Sequence, residues 1–145
     1  MQDLPHQYNV TANAEFDGNV PLKVDDVPQL VTAPPAEFGG PGDQWSPETL
    51  LVGAVLDSFI FMFRGISRAS SLEWINLDCS ATGAMERVKR ANCFTSFTIR
   101  ATLIIPVDTD TGKAQRLLEK AQAACPITHS LRADTRLETE IIVES

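Results

Sequence analysis

Alternation of apolar and polar residues predicts a β-hairpin near the start of the chain. YNVTANAEF, residues 8–16, places Tyr8 and Phe16 on one face, and the Asp17-Gly18 pair that follows is a turn signal. NVPLKV, residues 19–24, alternates in turn and forms the predicted return strand. Because proline has no backbone N–H to donate, Pro21 favours an edge position for this strand.

Three longer alternating stretches predict the remaining strands. They are INLDCSAT at residues 75–82, CFTSFTIRATLIIP at 93–106 and TRLETEIIVE at 135–144. RVKRAN, residues 87–92, is predicted to be a basic, exposed turn between the first two of them.

Two stretches have the marks of helices. SPETLLVGAVLDSFIFMFRGI starts with Ser46 as a plausible N-cap and Pro47 at the first helical position. Its apolar residues cover nearly every direction around the axis, so we expect a helix buried on all sides, which a homodimer would achieve economically. TGKAQRLLEKAQAAC, residues 111–125, follows Asp108 and Asp110 and has a single apolar stripe.

Between the hairpin and the first helix, residues 25–47 are rich in proline and glycine and show no period. Long connections of this kind are often binding loops or lids, and a disordered linker is the alternative. Phe38 and Trp45 favour a packed loop because large aromatic residues are rarely left in water. The order of elements predicts an α+β fold.

Length and composition describe one ordinary globular domain, residues 1–145. A net charge of -7 argues against nucleic acid or an anionic membrane surface as partner. The N-terminus lacks the features of a targeting segment, and the apolar run 50–63 is interrupted by Asp57 and short of the ~20 residues of a membrane span. We therefore expect a cytoplasmic protein without membrane contact.

Three cysteines lie far apart without a C-x-x-C pair, which predicts reduced thiols and neither a metal site nor a cofactor. Cys79 and Cys93 are interpreted as structural. Cys125 lies in the last turn of the predicted second helix, where it is either a small buried hydrophobe or a reactive thiol activated by His129, four residues later. The negative end of a helix dipole would disfavour its thiolate.

Ser58 and Asp57 lie side by side in the apolar first helix. A hydrolytic triad is disfavoured because no G-x-S-x-G turn exposes the serine. An unpaired carboxylate is costly in an apolar core, so Asp57 must face a cavity, a subunit boundary, or a partner such as Arg64 or Arg68. Glu48 either complements the helix dipole or lines the mouth of a pocket.

PAEFGGPGDQWSPETLLVGAVLDSFIFMF, residues 35–63, together with RLLEKAQAACPITHSL, residues 116–131, resembles the OsmC/Ohr family of osmotically inducible and organic-hydroperoxide-resistance proteins. The resemblance implies an OsmC-like fold with two central buried helices and antiparallel sheets, in an intertwined homodimer that reduces hydroperoxides at the subunit boundary. It also implies a reactive cysteine in the first helix, a resolving cysteine before proline, and an arginine and a glutamate that organise the peroxide.

Carried over by residue, the resemblance matches Cys125 to the resolving cysteine, Glu48 to the glutamate and Ser58 to the position of the reactive cysteine. No arginine precedes Arg64, so the family arginine has no counterpart. A hydroxyl cannot replace a thiolate in peroxide reduction.

Two hypotheses follow for this relative of the oxidative-stress proteins. In the first, the two-cysteine cycle is lost and a pocket at the dimer interface binds an apolar or amphipathic small molecule. Its expected lining is Ser58, Cys125, Glu48, Asp57, Phe38 and His129. In the second, Cys125 alone reduces an organic hydroperoxide and an external thiol restores it.

Overall fold

The computed structural model describes residues 2–144, and the chain divides into two compact units, Met1–Leu50 and Leu51–Ser145. The predicted mixture of helices and strands is confirmed. The strands are β1 (Thr11–Ala12), β2 (Val20–Lys23), β3 (Leu30–Thr32), β4 (Asn76–Val88), β5 (Ala91–Pro106) and β6 (Asp134–Glu144). The helices are α1 (Pro47–Ala69), α2 (Thr111–Ala123) and α3 (Pro126–His129), with a short 3-10 turn at Ala36–Phe38.

In the first unit, β1, β2 and β3 form an antiparallel sheet in that order. The predicted hairpin is confirmed, although β1 is only two residues long. The edge position predicted for β2 is wrong, because β2 is the central strand. Pro21 is tolerated there because β1 pairs only with Leu22 and Lys23, so the strand has no β1 partner at the proline.

The segment 25–47 is more regular than the sequence suggested. It contains β3 and the 3-10 turn, and a bridge joins Thr32 to Trp45. Beside this bridge the Ala33 amide donates to the Trp45 carbonyl oxygen at 2.9 Å. The backbone is therefore held in place. The aromatic side chains are not buried as predicted, since Phe38 is 56% exposed and Trp45 is 51% exposed.

The second unit is built on the sheet β4-β5-β6. The central strand β5 buries every second residue, at Phe97, Ile99, Ala101, Leu103 and Ile105. It pairs with β4 antiparallel through a tight turn at Lys89 and Arg90, both with positive φ. It pairs with β6 in parallel, so the expectation of purely antiparallel sheets is wrong here, because the chain crosses over through α2 before β6 begins.

Helix α1 buries one stripe in this chain rather than its whole circumference. Its buried residues are Val55, Phe59, Phe63 and Ser67, spaced by one turn. Within this chain 17% of its most apolar stretch is buried. The prediction of a helix enclosed on all sides refers to a homodimer and stays a prediction. By length and composition α1 could span a membrane, a test that core helices of soluble proteins also pass.

Helix α2 agrees with its predicted stripe. The Asp110 side chain caps it by accepting from the Lys113 amide at 3.1 Å, as expected for an N-terminal acid. Its buried residues are Ala114, Leu117, Leu118 and Ala121. They join the same core cluster as the inward face of β5.

Candidate functional site

Cys125 lies between two helices rather than in the last turn of one. Helix α2 ends at Ala123, and Cys125 takes an extended conformation with φ -65 and ψ 115 as the N-cap of α3. The prediction that the helix continues to residue 125 is wrong because Pro126 disfavours a helical conformation in the residue before it. The sulfur consequently sits at the start of a new turn, where backbone amides are free to donate.

The Cys125 thiol donates a hydrogen bond to the Ser58 hydroxyl, with 3.1 Å between Sγ and Oγ. Cys125 is 1% exposed, and Ser58 is half-buried on α1. These two side chains are 67 residues apart in sequence and both belong to the second unit. The structure therefore brings together two of the residues that the sequence marked for chemistry.

The surroundings of Cys125 favour its thiolate. Burial raises the pKa of the thiol, but the hydrogen-bonded Ser58 hydroxyl and the nearby backbone of Thr128 and Ile127 outweigh burial and lower the pKa below its ordinary value. The Thr128 hydroxyl can add to this effect, or donate to the Cys125 carbonyl oxygen at 3.1 Å, since it has one hydrogen.

His129 does not act on the thiol as predicted. Its exposed ring pairs through Nε2 with the Ala123 carbonyl oxygen at 2.7 Å, and it is not among the groups that shift the pKa of Cys125. The residues that the sequence reasoning missed are Ile127 and Thr128. The signal was present in CPIT, where a proline at the first helical position starts a new turn with Cys125 as its N-cap, so that the first amides of this turn have no helical acceptor.

Asp57 is exposed on α1 beside the half-buried Ser58. Within residues 2–144 it forms no ion pair with Arg64 or Arg68, and the Arg64 guanidinium instead lies 5.4 Å from the centre of the Phe61 ring. In this chain, water therefore solvates the carboxylate, which removes the cost of burial that a fully enclosed helix would impose.

Glu48 and Phe38 belong to the first unit. The predicted cap is confirmed: the Ser46 hydroxyl accepts from the Thr49 amide at 3.1 Å, and the Thr49 hydroxyl accepts from the Ser46 amide at 2.9 Å. Glu48 lies in the first turn that this cap opens. Its Oε1 is buried without a hydrogen-bond partner among the described residues, which a charge on the helix dipole alone does not explain.

The other two cysteines lie on the sheet. Cys79 is half-buried on β4, where burial and the neighbouring Asp78 raise its pKa to about 11. Cys93 is half-buried near the start of β5, and neither it nor the other two thiols forms a disulfide. Between residues 2 and 144 the structure contains no group of three or more histidine, cysteine or acidic residues that could hold a metal ion.

The model of the OsmC-like protein family matches residues 40–140, which include both members of the Ser58 and Cys125 pair. The chain belongs to the OsmC-like family. A relative in Bacillus subtilis, the uncharacterized protein YmaD, is 25% identical over 113 residues, which are 76% of this chain and 75% of the relative.

Solved structures share the fold of this OsmC-like protein. An organic hydroperoxide resistance protein from Legionella pneumophila aligns with a TM-score of 0.74 and 18% identity, over 97% of this chain and 99% of the other. An OsmC-like protein of unknown function from Vibrio cholerae aligns with a TM-score of 0.82 and 13% identity, over 95% and 100%. At these identities the likeness establishes the fold alone.

Proposed function

We propose that this OsmC-like protein is a relative of the thiol-dependent organic hydroperoxide reductases that lacks the two-cysteine cycle and retains a small-molecule pocket. The observation that carries the proposal is the 3.1 Å contact between Cys125 Sγ and Ser58 Oγ. In the resemblance to the OsmC/Ohr proteins, Ser58 stands at the position of the reactive cysteine. The contact is what a degenerate cysteine pair would leave.

The chemistry of the two-cysteine cycle explains why an oxygen at residue 58 stops it. A thiolate attacks the peroxide, an alcohol leaves, and the sulfenic acid that remains condenses with the second thiol to give a disulfide and water. The Ser58 hydroxyl is too weak a nucleophile for the first step and forms no disulfide in the second. A hydrogen-bonded hydroxyl and thiol can instead orient the polar end of a ligand.

The remaining predicted features complete this proposal. Two copies of the chain would form a homodimer through the apolar face of α1 that the described residues leave uncovered. Asp57 and His129, which belong to the same unit as Ser58 and Cys125, would then border the pocket. A cytoplasmic location without nucleic acid or membrane partners remains a prediction from composition and charge.

A second candidate function is favoured by the lowered pKa of Cys125. Its thiolate could attack an organic hydroperoxide, release the alcohol and become a sulfenic acid. An external dithiol would then displace water, form a mixed disulfide and close its own disulfide, which restores Cys125. This cycle consumes one peroxide per dithiol and needs no second cysteine in the protein.

Hydroperoxide consumption with a dithiol reductant distinguishes the two candidates. We expect the wild type to turn over no faster than Cys125→Ala, whereas Ser58→Cys gains activity and forms a disulfide with Cys125 on oxidation. Ser58→Ala is the matched control, since it changes the same position without adding sulfur. If the wild type turns over and Cys125→Ala abolishes turnover, the one-cysteine reductase is the correct function.

Failure of Ser58→Cys to gain either activity or a disulfide would refute the idea of a degenerate peroxidase pair. Circular dichroism and thermal unfolding of that variant check that it folds. The oligomeric state, measured by light scattering, tests the homodimer separately, and a monomer at all concentrations would refute the interface pocket.

A further inference from the structure

A cavity of about 440 Å³ lies at the C-terminal end of α1 in the second unit. Arg64 and Arg68 line it from the helix, Trp74 and Leu72 from the connection to β4, and Pro106 from the end of β5. Its volume is within the range of small-molecule sites. None of these residues belongs to the Ser58 and Cys125 pair.

The apolar wall of this cavity is fixed by a buried hydroxyl. Ser67, which is 1% exposed, accepts from Trp74 Nε1 at 2.9 Å and donates to the Arg64 carbonyl oxygen at 3.1 Å. The Trp74 ring also packs against Phe63 with 5.5 Å between the ring centres. Because the indole N–H is already bonded, Trp74 offers a ligand the surface of its ring and no free donor.

The two arginines are not needed to complete the end of the helix. Ser71 has a positive φ, and the Leu72 and Ser71 amides donate to the carbonyl oxygens of Ser67 at 2.9 Å and Arg68 at 3.2 Å, which is a Schellman ending. Lys113 Nζ donates to the Ser70 carbonyl oxygen at 2.6 Å. These bonds satisfy the carbonyl groups of Ser67, Arg68 and Ser70 without either guanidinium.

The charge at the cavity opposes that of the whole chain. The protein has a net charge of -7, yet two arginine residues and one acidic residue, Glu73, line this cavity. Among residues 2–144 neither Arg64 nor Arg68 is in an ion pair. Arginine presents a planar fork of donors that matches a carboxylate, and unpaired forks beside an aromatic wall suit a ligand with both features.

We propose that this cavity binds a small aromatic monocarboxylate, with its carboxylate on Arg64 and Arg68 and its ring against Trp74. Glu73 limits the charge that the site accepts, because a second negative group on the ligand would approach its carboxylate. The ligand site is independent of the proposed function at Cys125.

Tryptophan fluorescence gives a direct test. The chain has two tryptophans, so Trp45→Phe leaves Trp74 as the reporter of its own cavity. We expect phenylacetate to change its emission saturably and to bind about tenfold more tightly than neutral phenylacetamide. Arg64→Gln and Arg68→Gln should each weaken binding about fivefold, and Glu73→Gln should strengthen it about twofold.

Arg87→Gln, an arginine near the exposed β4–β5 turn, is the matched control and should leave affinity unchanged. Calorimetric titration of the wild-type protein repeats the measurement without the Trp45 substitution. The proposal is overturned if phenylacetate gives no saturable signal in the millimolar range, if the amide or inorganic phosphate binds as tightly, or if Arg87→Gln weakens binding equally. Cys125→Ala should still bind phenylacetate, so this proposal and the proposed function at Cys125 can be refuted independently of each other.

Discussion

Replacing Ser58 by alanine should raise the pKa of Cys125. In the thiolate form the Ser58 hydroxyl donates to Sγ across the 3.1 Å contact, and this bond is the largest of those that offset burial. A hydrogen bond to a charged group is worth about 1.5–3 kcal/mol, and 1.36 kcal/mol corresponds to one pKa unit. Loss of the hydroxyl therefore removes stabilisation of the thiolate and is expected to raise the pKa of Cys125.

The ultraviolet absorbance of the thiolate, followed against pH, measures this shift. A Cys93→Ser background removes one competing thiol, and Cys79 titrates separately because its pKa is about 11. Ser80→Ala, an exposed serine on β4, is the control for loss of a hydroxyl elsewhere. An unchanged or lower pKa in Ser58→Ala would refute the assignment of Ser58 as the main donor to the thiolate.

Three further outcomes concern stability. Gly83→Ala would place a Cβ 2.7 Å from a Val52 methyl group, so we expect the free energy of unfolding, measured by chemical denaturation, to fall by about 1–3 kcal/mol. Gly65→Ala, in an open helical position, is the control and should raise it by about 0.8–1.0 kcal/mol. Equal effects would contradict the packing at Gly83. Ser46→Ala removes the hydroxyl that accepts from the Thr49 amide and keeps the bond from the Ser46 amide to the Thr49 hydroxyl. It should cost about 1–2 kcal/mol by the same measurement, and no change would mean that the Ser46 hydroxyl is not stabilising. Because the pKa of Cys79 is raised in the folded state, its contribution to stability is complete below the unfolded pKa and is lost as pH rises through about 11. Cys79→Ala should therefore show a smaller fall in melting temperature at alkaline pH than the wild type. An equal fall in the two proteins would contradict this prediction.

The elements set by local chemistry could be predicted from the sequence. Asp110 caps α2, the alternation of β5 gives its buried face, and Ser46 opens α1, because each depends on residues close together in the chain. The parallel pairing of β6 could not be predicted, since alternation fixes the faces of a strand and says nothing of its neighbour's direction.

The site was predicted in part for the same reason. Resemblance to the family singled out Ser58 and Cys125. Periodicity alone predicted that the second helix includes Cys125, which placed the thiol at the negative end of a helix dipole instead of at the start of a new turn. Helical spacing runs on through Ala124 and Cys125, whereas the conformational restriction imposed by Pro126 ends the helix earlier. The contact between residues 58 and 125 is tertiary and has no local signal.

The parallel strand β6 has a consequence for synthesis on the ribosome. Strand β5 can pair with β4 as soon as their hairpin has emerged, but its other edge stays open until α2 and then residues 134–144 have followed. During that interval a long apolar strand has an unpaired row of backbone donors and acceptors, which is a template for contact with other nascent chains. Early chain termination before β6 should therefore produce aggregates rather than a smaller soluble fragment.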